Sequence, residues 1–384
     1  MFREGQVMLF RYVNLNNLRD FLKISVAPAL RKKQRKNLFV MFIEMLWLFY
    51  KVKYWPHTYI KYGGYMKGKN VHDIAYYIPT RLFVCVREDI LNDPQLIALI
   101  ENKYILNRIL SWNGIPGTKA YGRYVKGVGF FDCENHLVDT DKFLDSINVD
   151  FVFKPVCESY GGSGVMVAGI KADSDKRFLV DNLEMDNCGL KDYLENKNVK
   201  GWLFEEKVEQ HSQQAAIYEK SLNTIRIDTL RGIHGEVIFG GGFFRIGRNG
   251  KRVDNWSAGG IALPVDLKDG SVIGDTAYDY NLNEYKVHPD TKFSFKGYKV
   301  PYWDEVRNML MQTAPLFPDI NSVGWDVAIS KDGPVIIEGN TNYEITTQAV
   351  IGPYMKKPEF MRVLNEHIKN SKYRSRYEKY FRIS

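Results

Sequence analysis

The stretch Val323-Gly-Trp-Asp-Val-Ala-Ile-Ser-Lys-Asp-Gly-Pro-Val-Ile-Ile-Glu-Gly-Asn340 decides how the rest of the chain is read. Two apolar, β-branched runs flank Lys331-Asp332-Gly333, the pattern of a β-hairpin closed by a glycine-containing turn. With the turn centred on Asp332, Ser330 faces Pro334, Ala328 faces Ile336 and Asp326 faces Glu338. Asn340 follows Glu338 by two residues and projects from the same face. Two carboxylates directly opposite each other repel. A hard divalent cation removes that penalty, and carboxylate and amide oxygens suit Mg²⁺, above all Mg²⁺ that is also held by substrate phosphates. The expected metal ligands are therefore Asp326, Glu338 and Asn340; the alternative is a solvated hairpin face with unpaired acids.

Working outward, the segments around the hairpin supply phosphate-binding chemistry. Phe151-Val-Phe-Lys-Pro155 and Val165-Met-Val-Ala-Gly-Ile170 read as strands joined by the glycine-rich Ser159-Tyr-Gly-Gly-Ser-Gly164. This is neither a P-loop nor a dinucleotide fingerprint, because no Gly-Lys-Ser/Thr follows and no helix opens after it. Its backbone N–H groups, at Ser159, Gly161, Gly162, Ser163 and Gly164, can still close over phosphates, with Lys154 adding a point charge. An ordinary glycine-containing hairpin is the competing reading. Trp202-Leu-Phe-Glu-Glu206 reads as a strand whose end lines an adenine pocket or is simply solvated, with Glu205, Glu206 or Glu209 near a ribose. In Asn223-Thr-Ile-Arg226, Thr224, Arg226 and Asp228 share one strand face while Ile225 and Ile227 pack inward. Arg226, with Arg245 from the next strand, is placed to clamp a phosphate or carboxylate; otherwise it forms a surface pair with Asp228 worth about 0–1 kcal/mol. Asp254-Asn255-Trp256 followed by Gly259-Gly260 reads as a substrate loop.

Further helices are expected over residues 189–196, 302–315 and 357–370. Another, over residues 93–113, starts at Asp93-Pro94 and carries apolar residues from Leu96 to Leu110. Residues 1–90 read as mostly helical, basic and aromatic, without a chemistry motif.

The chain has 384 residues, 45% hydrophobic and 26% charged, with a formal net charge of +8, which bounds it to roughly two or three domains of ordinary globular composition. A basic balance serves nucleic acid, an anionic membrane surface or a phosphorylated substrate. No base-stacking motif or zinc-finger spacing supports nucleic acid. Four scattered cysteines give neither a zinc pair nor a disulfide framework, and the expected compartment is the cytoplasm. No signal peptide opens the chain. Leu38 to Tyr50 is too short an apolar run to span a bilayer and follows Arg31-Lys-Lys-Gln-Arg-Lys36. Residues 19–54 are read first as a solvated basic end leading into a core helix, and second as a peripheral contact with the inner face of a membrane.

Taken in order, these pieces resemble the ATP-grasp superfamily. Phe151–Pro155 with the glycine loop looks like its first lysine strand and mobile loop, and Trp202–Val208 like its adenine hinge. Asp326…Glu338-Gly-Asn340 looks like its magnesium hairpin. Glu101-Asn102-Lys103 and Gly114-Ile-Pro116 look like the segment supplying a second ATP lysine, with Asn102 in place of the usual Asp. Gln210-His211, Ser221-Leu-Asn-Thr-Ile-Arg226, Asp254-Asn255 and Ala258-Gly-Gly-Ile261 are similar to the sugar-transfer-associated ATP-grasp family.

The resemblance covers about residues 90 to 370. It implies an α+β ATP-grasp fold, two α+β subdomains gripping ATP, with the domain over 91–375 split into a lid at about 118–206 and a Mg²⁺/substrate part at 207–375. It implies ATP and Mg²⁺ as cofactors. Lys103, Lys154, the glycine loop, Glu205, Glu206, Val208 and His211 would lie on the nucleotide, Arg226 and Arg245 at the reacting phosphoryl group, and Asn223, Thr224, Asn255, Gly259 and Gly260 on the substrate. The reaction implied is a carboxylate–amine ligation through an acylphosphate. Its acceptor is a uronic acid or a nucleotide- or lipid-linked sugar carboxylate of capsule or exopolysaccharide synthesis, its second partner an amine or amino acid. A sugar or carboxylate kinase and a non-catalytic ATP-binding recruiting subunit are the alternatives.

Overall fold

The computed structural model describes residues 34–52, 56–157, 165–171, 177–180 and 183–381. The glycine loop Ser159–Gly164 and Arg31–Lys33 lie outside the described residues. Two compact units emerge. One comprises Met1–Asp93, Leu230–Gly241 and Asn342–Ser384, the other Pro94–Thr229 and Gly242–Thr341. Residues 342–375, grouped by sequence with the ATP-grasp region, thus belong to the unit that contains the N-terminal helices.

The second unit is α+β and holds one antiparallel-rich sheet and most of another. Eight strands, β1 (Ala120–Val125), β2 (Gly129–Asp132), β3 (Leu137–Val138), β4 (Phe151–Pro155), β5 (Met166–Lys171), β6 (Arg177–Val180), β7 (Leu183–Met185) and β8 (Gly201–Glu206), form one sheet in the order β3-β2-β1-β8-β4-β5-β6-β7. Phe151, Phe153 and Phe204 turn to one face, where Phe130, Phe143 and the helix Asn187–Asn196 complete an aromatic core. Phe130 stacks on Phe143 at 4.8 Å between ring centroids. The facing pair Val152 and Glu205 then puts Glu205 and Lys154 on the opposite face as diagonal neighbours.

The other sheet comprises β9 (Thr224–Arg231), β10 (Val237–Ile246), β11 (Ile261–Pro264), β12 (Ala277–Tyr278), β13 (Glu284–Tyr285), β14 (Ser322–Ser330) and β15 (Gly333–Asn340), ordered β13-β12-β11-β10-β9-β14-β15. Both faces of β9 are covered, so Asp228 is buried, and the carboxylate that Arg226 grips is Asp326.

The expected hairpin is β14–β15, but its turn holds two residues, Lys331 and Asp332, so that Ser330 faces Gly333 and Ala328 faces Val335. That register alone would set Asp326 opposite Ile337. A bulge between Asp326 and Val327 leaves Ile337 as the extra residue, and Asp326 faces Glu338 after all.

The single helix expected over 93–113 is two. After a turn, Ala98–Glu101 ends at Asn102, whose side chain accepts from the backbone N–H of Tyr104 and Ile105 and starts Lys103–Trp112. Where the resemblance expects Asp, Asn102 serves as an equally good N-cap. In urea unfolding, Asn102→Asp is expected to stay within about 0.5 kcal/mol of wild type, and Asn102→Ala to cost about 1 kcal/mol.

In the first unit, Pro358–Asn370 buries Phe360, Val363, Leu364 and Ile368 against Phe83, Val86 and Tyr354. The helix Leu38–Val52 buries only Met41 and Leu48. The expectation of a core helix therefore holds for one side of it alone. No helix among the described residues is long and apolar enough to cross a membrane.

Candidate functional site

Lys103, Lys154 and the hairpin residues meet within the second unit. Lys103 is buried at the first turn of its helix, with Nζ 3.7 Å from Glu338 Oε2. Its backbone N–H bonds Val156 O at 2.9 Å, which ties the helix start to the end of β4. Lys154 is also buried, with Nζ 2.6 Å from Glu205 Oε2. Its second partner is the carbonyl of Ile337 at 3.3 Å, the extra residue of the bulge. A bulged residue is missing from the ladder, so the irregularity that restores the Asp326–Glu338 pairing also offers Lys154 an acceptor.

Glu205 faces inward. Thr118 Oγ1 donates to its Oε1, and Asn107 Nδ2, at 2.6 Å from Thr118 O, lies 3.5 Å from the same oxygen. Glu206, on the other face of β8, accepts from Lys119 N–H at 3.1 Å. Glu209 is exposed and paired with Lys331 at 2.8 Å. Val208 is half-buried in the loop after β8. His211 bonds Ile329 O through its N–H and caps Ser212–Ala215 through Nδ1. Of these, Glu205 is the one wired to the buried Lys154. Thr118 and Asn107 escaped the sequence reading because neither stands in a motif.

On the hairpin, Asp326 is fully buried. Arg226 grips both its oxygens, Nε to Oδ1 at 2.5 Å and Nη2 to Oδ2 at 3.1 Å, and Arg245 Nη2 adds a contact at 2.8 Å. Arg245 also bonds Thr224 Oγ1 and lies 3.5 Å from Asp254. Thr224 in turn donates its N–H and hydroxyl to Asp254. Burial alone would raise the Asp326 carboxyl, but Arg226 and Arg245 override it and hold it well below the usual range. Burial works against the Arg226 charge, and Asp326 more than restores it. Burial also pushes Asp254 up, against the pull of Arg245.

Glu338 is in the opposite condition. Burial and the facing Asp326 push its carboxyl up, against the pull of Lys103 and Lys154. Asn340 Nδ2 lies 3.3 Å from Glu338 Oε1. Thr341, next along, bonds Glu101, so the helix carrying Glu101 steadies the end of the hairpin.

The donor set fits Mg²⁺. No three His, Cys, Asp or Glu side chains gather as a metal cage among the described residues. The hairpin offers two carboxylates and an amide, the small oxygen set used when phosphates and water complete an octahedron. Glu338 and Asn340 hold the carboxylate and amide with most to gain from a cation, since Asp326 already accepts from two arginines.

Asn223 is fully buried. Its amide donates to Tyr218 O at 2.7 Å and Gln210 Oε1 at 3.1 Å, and its oxygen accepts from Ser221 and Gly247 N–H. These bonds brace the chain around β9. Asn255 O closes the turn to Gly260 at 3.0 Å, and Arg248 Nε bonds Gly259 O at 2.7 Å. A side chain at Gly260 would collide with Asp254 O, so the glycine there permits a close backbone crossing.

A family signature described as "Sugar-transfer associated ATP-grasp" matches residues 88–359. No curated protein sequence matches the chain. Among solved structures, the chain is similar to the D-alanine-D-alanine ligase from Coxiella burnetii (9% identity, 78% of this chain and 68% of that one, TM-score 0.42). It is also similar to N5-carboxyaminoimidazole ribonucleotide synthetase from Thermotoga maritima (12%, 65% and 44%, TM-score 0.34). A third is the biotin carboxylase domain of 2-oxoglutarate carboxylase from Hydrogenobacter thermophilus, crystallised with MgADP (13%, 74% and 50%, TM-score 0.41). The chain spans about half the length of the solved chains it matches first, 44%, 52% and 50%.

Proposed function

The chain belongs to the sugar-transfer-associated ATP-grasp family, and on that premise we propose that it is an ATP-dependent carboxylate–amine ligase acting on a sugar-linked acid. The observation that carries the reading is the meeting of Lys103 and Lys154, from different elements, at the face of a hairpin that opposes Asp326 to Glu338. Uncompensated, that face sets two carboxylates against each other; a phosphate chain with its cation uses every charge on it.

In this reading Lys103 and Lys154 hold the phosphates of ATP, and Glu338 and Asn340, beside Asp326, hold Mg²⁺, which when bound neutralises charge on the phosphate oxygens. Arg226 and Arg245 fix Asp326 and keep cationic charge beside the transferring group. A substrate carboxylate oxygen attacks the γ-phosphorus. The bond to the β–γ bridging oxygen breaks, ADP leaves, and an acylphosphate remains. An amine attacks the acyl carbon, loses its proton, and phosphate departs as the amide forms. The work is positioning and charge neutralisation. The family's association with sugar transfer supports a uronic acid or a nucleotide- or lipid-linked sugar carboxylate, in capsule or exopolysaccharide synthesis, as the acceptor.

The test is ADP release with Mg·ATP against pooled uronic acids, free and nucleotide-linked, with and without an amine and amino-acid pool. Release that needs both pools is the expected result. Release with the acid pool alone, unchanged by amines, would replace the ligase by a kinase.

A further inference from the structure

The helix Leu38–Val52 turns its one acid inward and an apolar side outward. Glu44, its only acid, lies 2.8 Å from Lys36 Nζ and accepts from the Tyr59 hydroxyl at 2.5 Å. Met41 and Leu48 join Glu44 on the inner side, packed with Tyr59, Ile60 and Tyr62. At 100° per residue, Leu38, Phe42, Leu46, Phe39 and Ile43 follow one another around the other side. Each is 48–71% exposed. An unbroken apolar strip on an ordered helix is what a docking surface looks like.

The charge around the strip selects the occupant. Residues 21–72 contain eleven Lys and Arg and one acid, Glu44 itself, which is turned in. Arg31, Lys32, Lys33 and Arg35 precede the helix in sequence, Lys51 stands in its last turn and Lys53 follows it, so both ends are basic. A second copy packed on this face, parallel or antiparallel, would bring two basic stretches together. An anionic bilayer meets both properties at once. Apolar side chains enter the acyl boundary while lysines and arginines meet the headgroups. The helix, 15 residues and about 22 Å long, is shorter than the roughly 30 Å hydrocarbon core and would lie along it rather than across it.

We propose that the outward face of Leu38–Val52 docks the protein on an anionic membrane surface. The proposal is independent of the ligase reading. The domain serves as the polar half of an interfacial helix, with its apolar half left to lipid.

The test is co-sedimentation of the full chain with phosphatidylcholine vesicles, with and without phosphatidylglycerol, beside the double variant Phe42→Glu/Leu46→Glu. Both substituted side chains are exposed, so folding is expected to be kept, and circular dichroism checks it. Wild type is expected to pellet with the anionic vesicles, to be released by salt, and to bind the zwitterionic vesicles weakly. The variant's partition is expected to fall at least about tenfold. Wild type remaining in the supernatant, or equal binding by the variant, would overturn the proposal. So would a wild-type dimer in sedimentation velocity that the variant dissociates, since a second copy would then cover the face.

Discussion

Glu338→Gln is expected to reduce Mg·ATP-dependent ADP release at least about a hundredfold while leaving the protein as stable as wild type or slightly more so. The two halves of this result have one cause. Glu338 stands across from Asp326, and burial with that facing charge pushes its carboxyl up. A group whose folded-state pKa is raised stabilises the fold only when protonated, so ionised Glu338 is a burden at neutral pH that a bound cation relieves. Gln removes the burden and, with it, the charge that holds the cation. The same cause sets a pH dependence. The rise in Tm that Mg·ATP gives wild type should shrink as pH falls toward and below the raised Glu338 value, because a proton then competes with the cation. The variant should give a small rise with no such slope from this site. Thermal melts with and without Mg·ATP across the mildly acid range, with ADP release alongside, read both halves. Near-wild-type turnover in Glu338→Gln would remove the residue from the cation site.

Much of the architecture was legible because it is local. The strand Phe151–Pro155, the helix Pro358–Asn370 and the β9–β10 pair announce themselves through apolar periodicity and turn residues. The facing of Asp326 and Glu338 was also read correctly, but by a route the structure replaces. The tighter turn and the Ile337 bulge each shift the register by one, and the shifts cancel. Alternation alone does not reveal a bulge whose extra residue is one more isoleucine in an apolar run. The break at Asn102 was hidden for a related reason, since apolar spacing continues across it while a single side chain caps the second helix. What lay furthest from sequence was charge pairing. Arg226 meets Asp326 a hundred residues away and Lys154 meets Glu205 across two strands. Nothing local says which carboxylate a buried cation will find. Leu38–Val52 shows the same limit in reverse, because an apolar run is written alike for a core and for an exposed face.

Asp326→Ala is expected to destabilise the protein by about 3–5 kcal/mol without any metal or nucleotide present. Asp326 is the shared counterion of Arg226 and Arg245, and all three side chains are at least mostly buried, at 1%, 13% and 7% exposure. Without it Arg245 keeps Asp254, 3.5 Å away and already bonded to Thr224, and Arg226 keeps the fields of Asp228 and Glu338. Breaking one side of a buried charge cluster is far worse than losing a surface pair, because the charges that stay behind have no water to turn to. The pH sign follows from the depressed Asp326 carboxyl. Its contribution is complete above the ordinary Asp value, about 3.9, and is lost only as pH falls through the lower folded value. The gap between wild type and variant in urea unfolding should therefore stay flat through neutral pH and narrow only in strong acid. Asp326→Asn, which keeps the shape and some hydrogen bonding but removes the charge, should lie between the two. If Asp326 served only to bind the cation, the variant would match wild type in the absence of Mg·ATP and fall behind only in its presence; a loss below about 1 kcal/mol in the free protein would establish that instead.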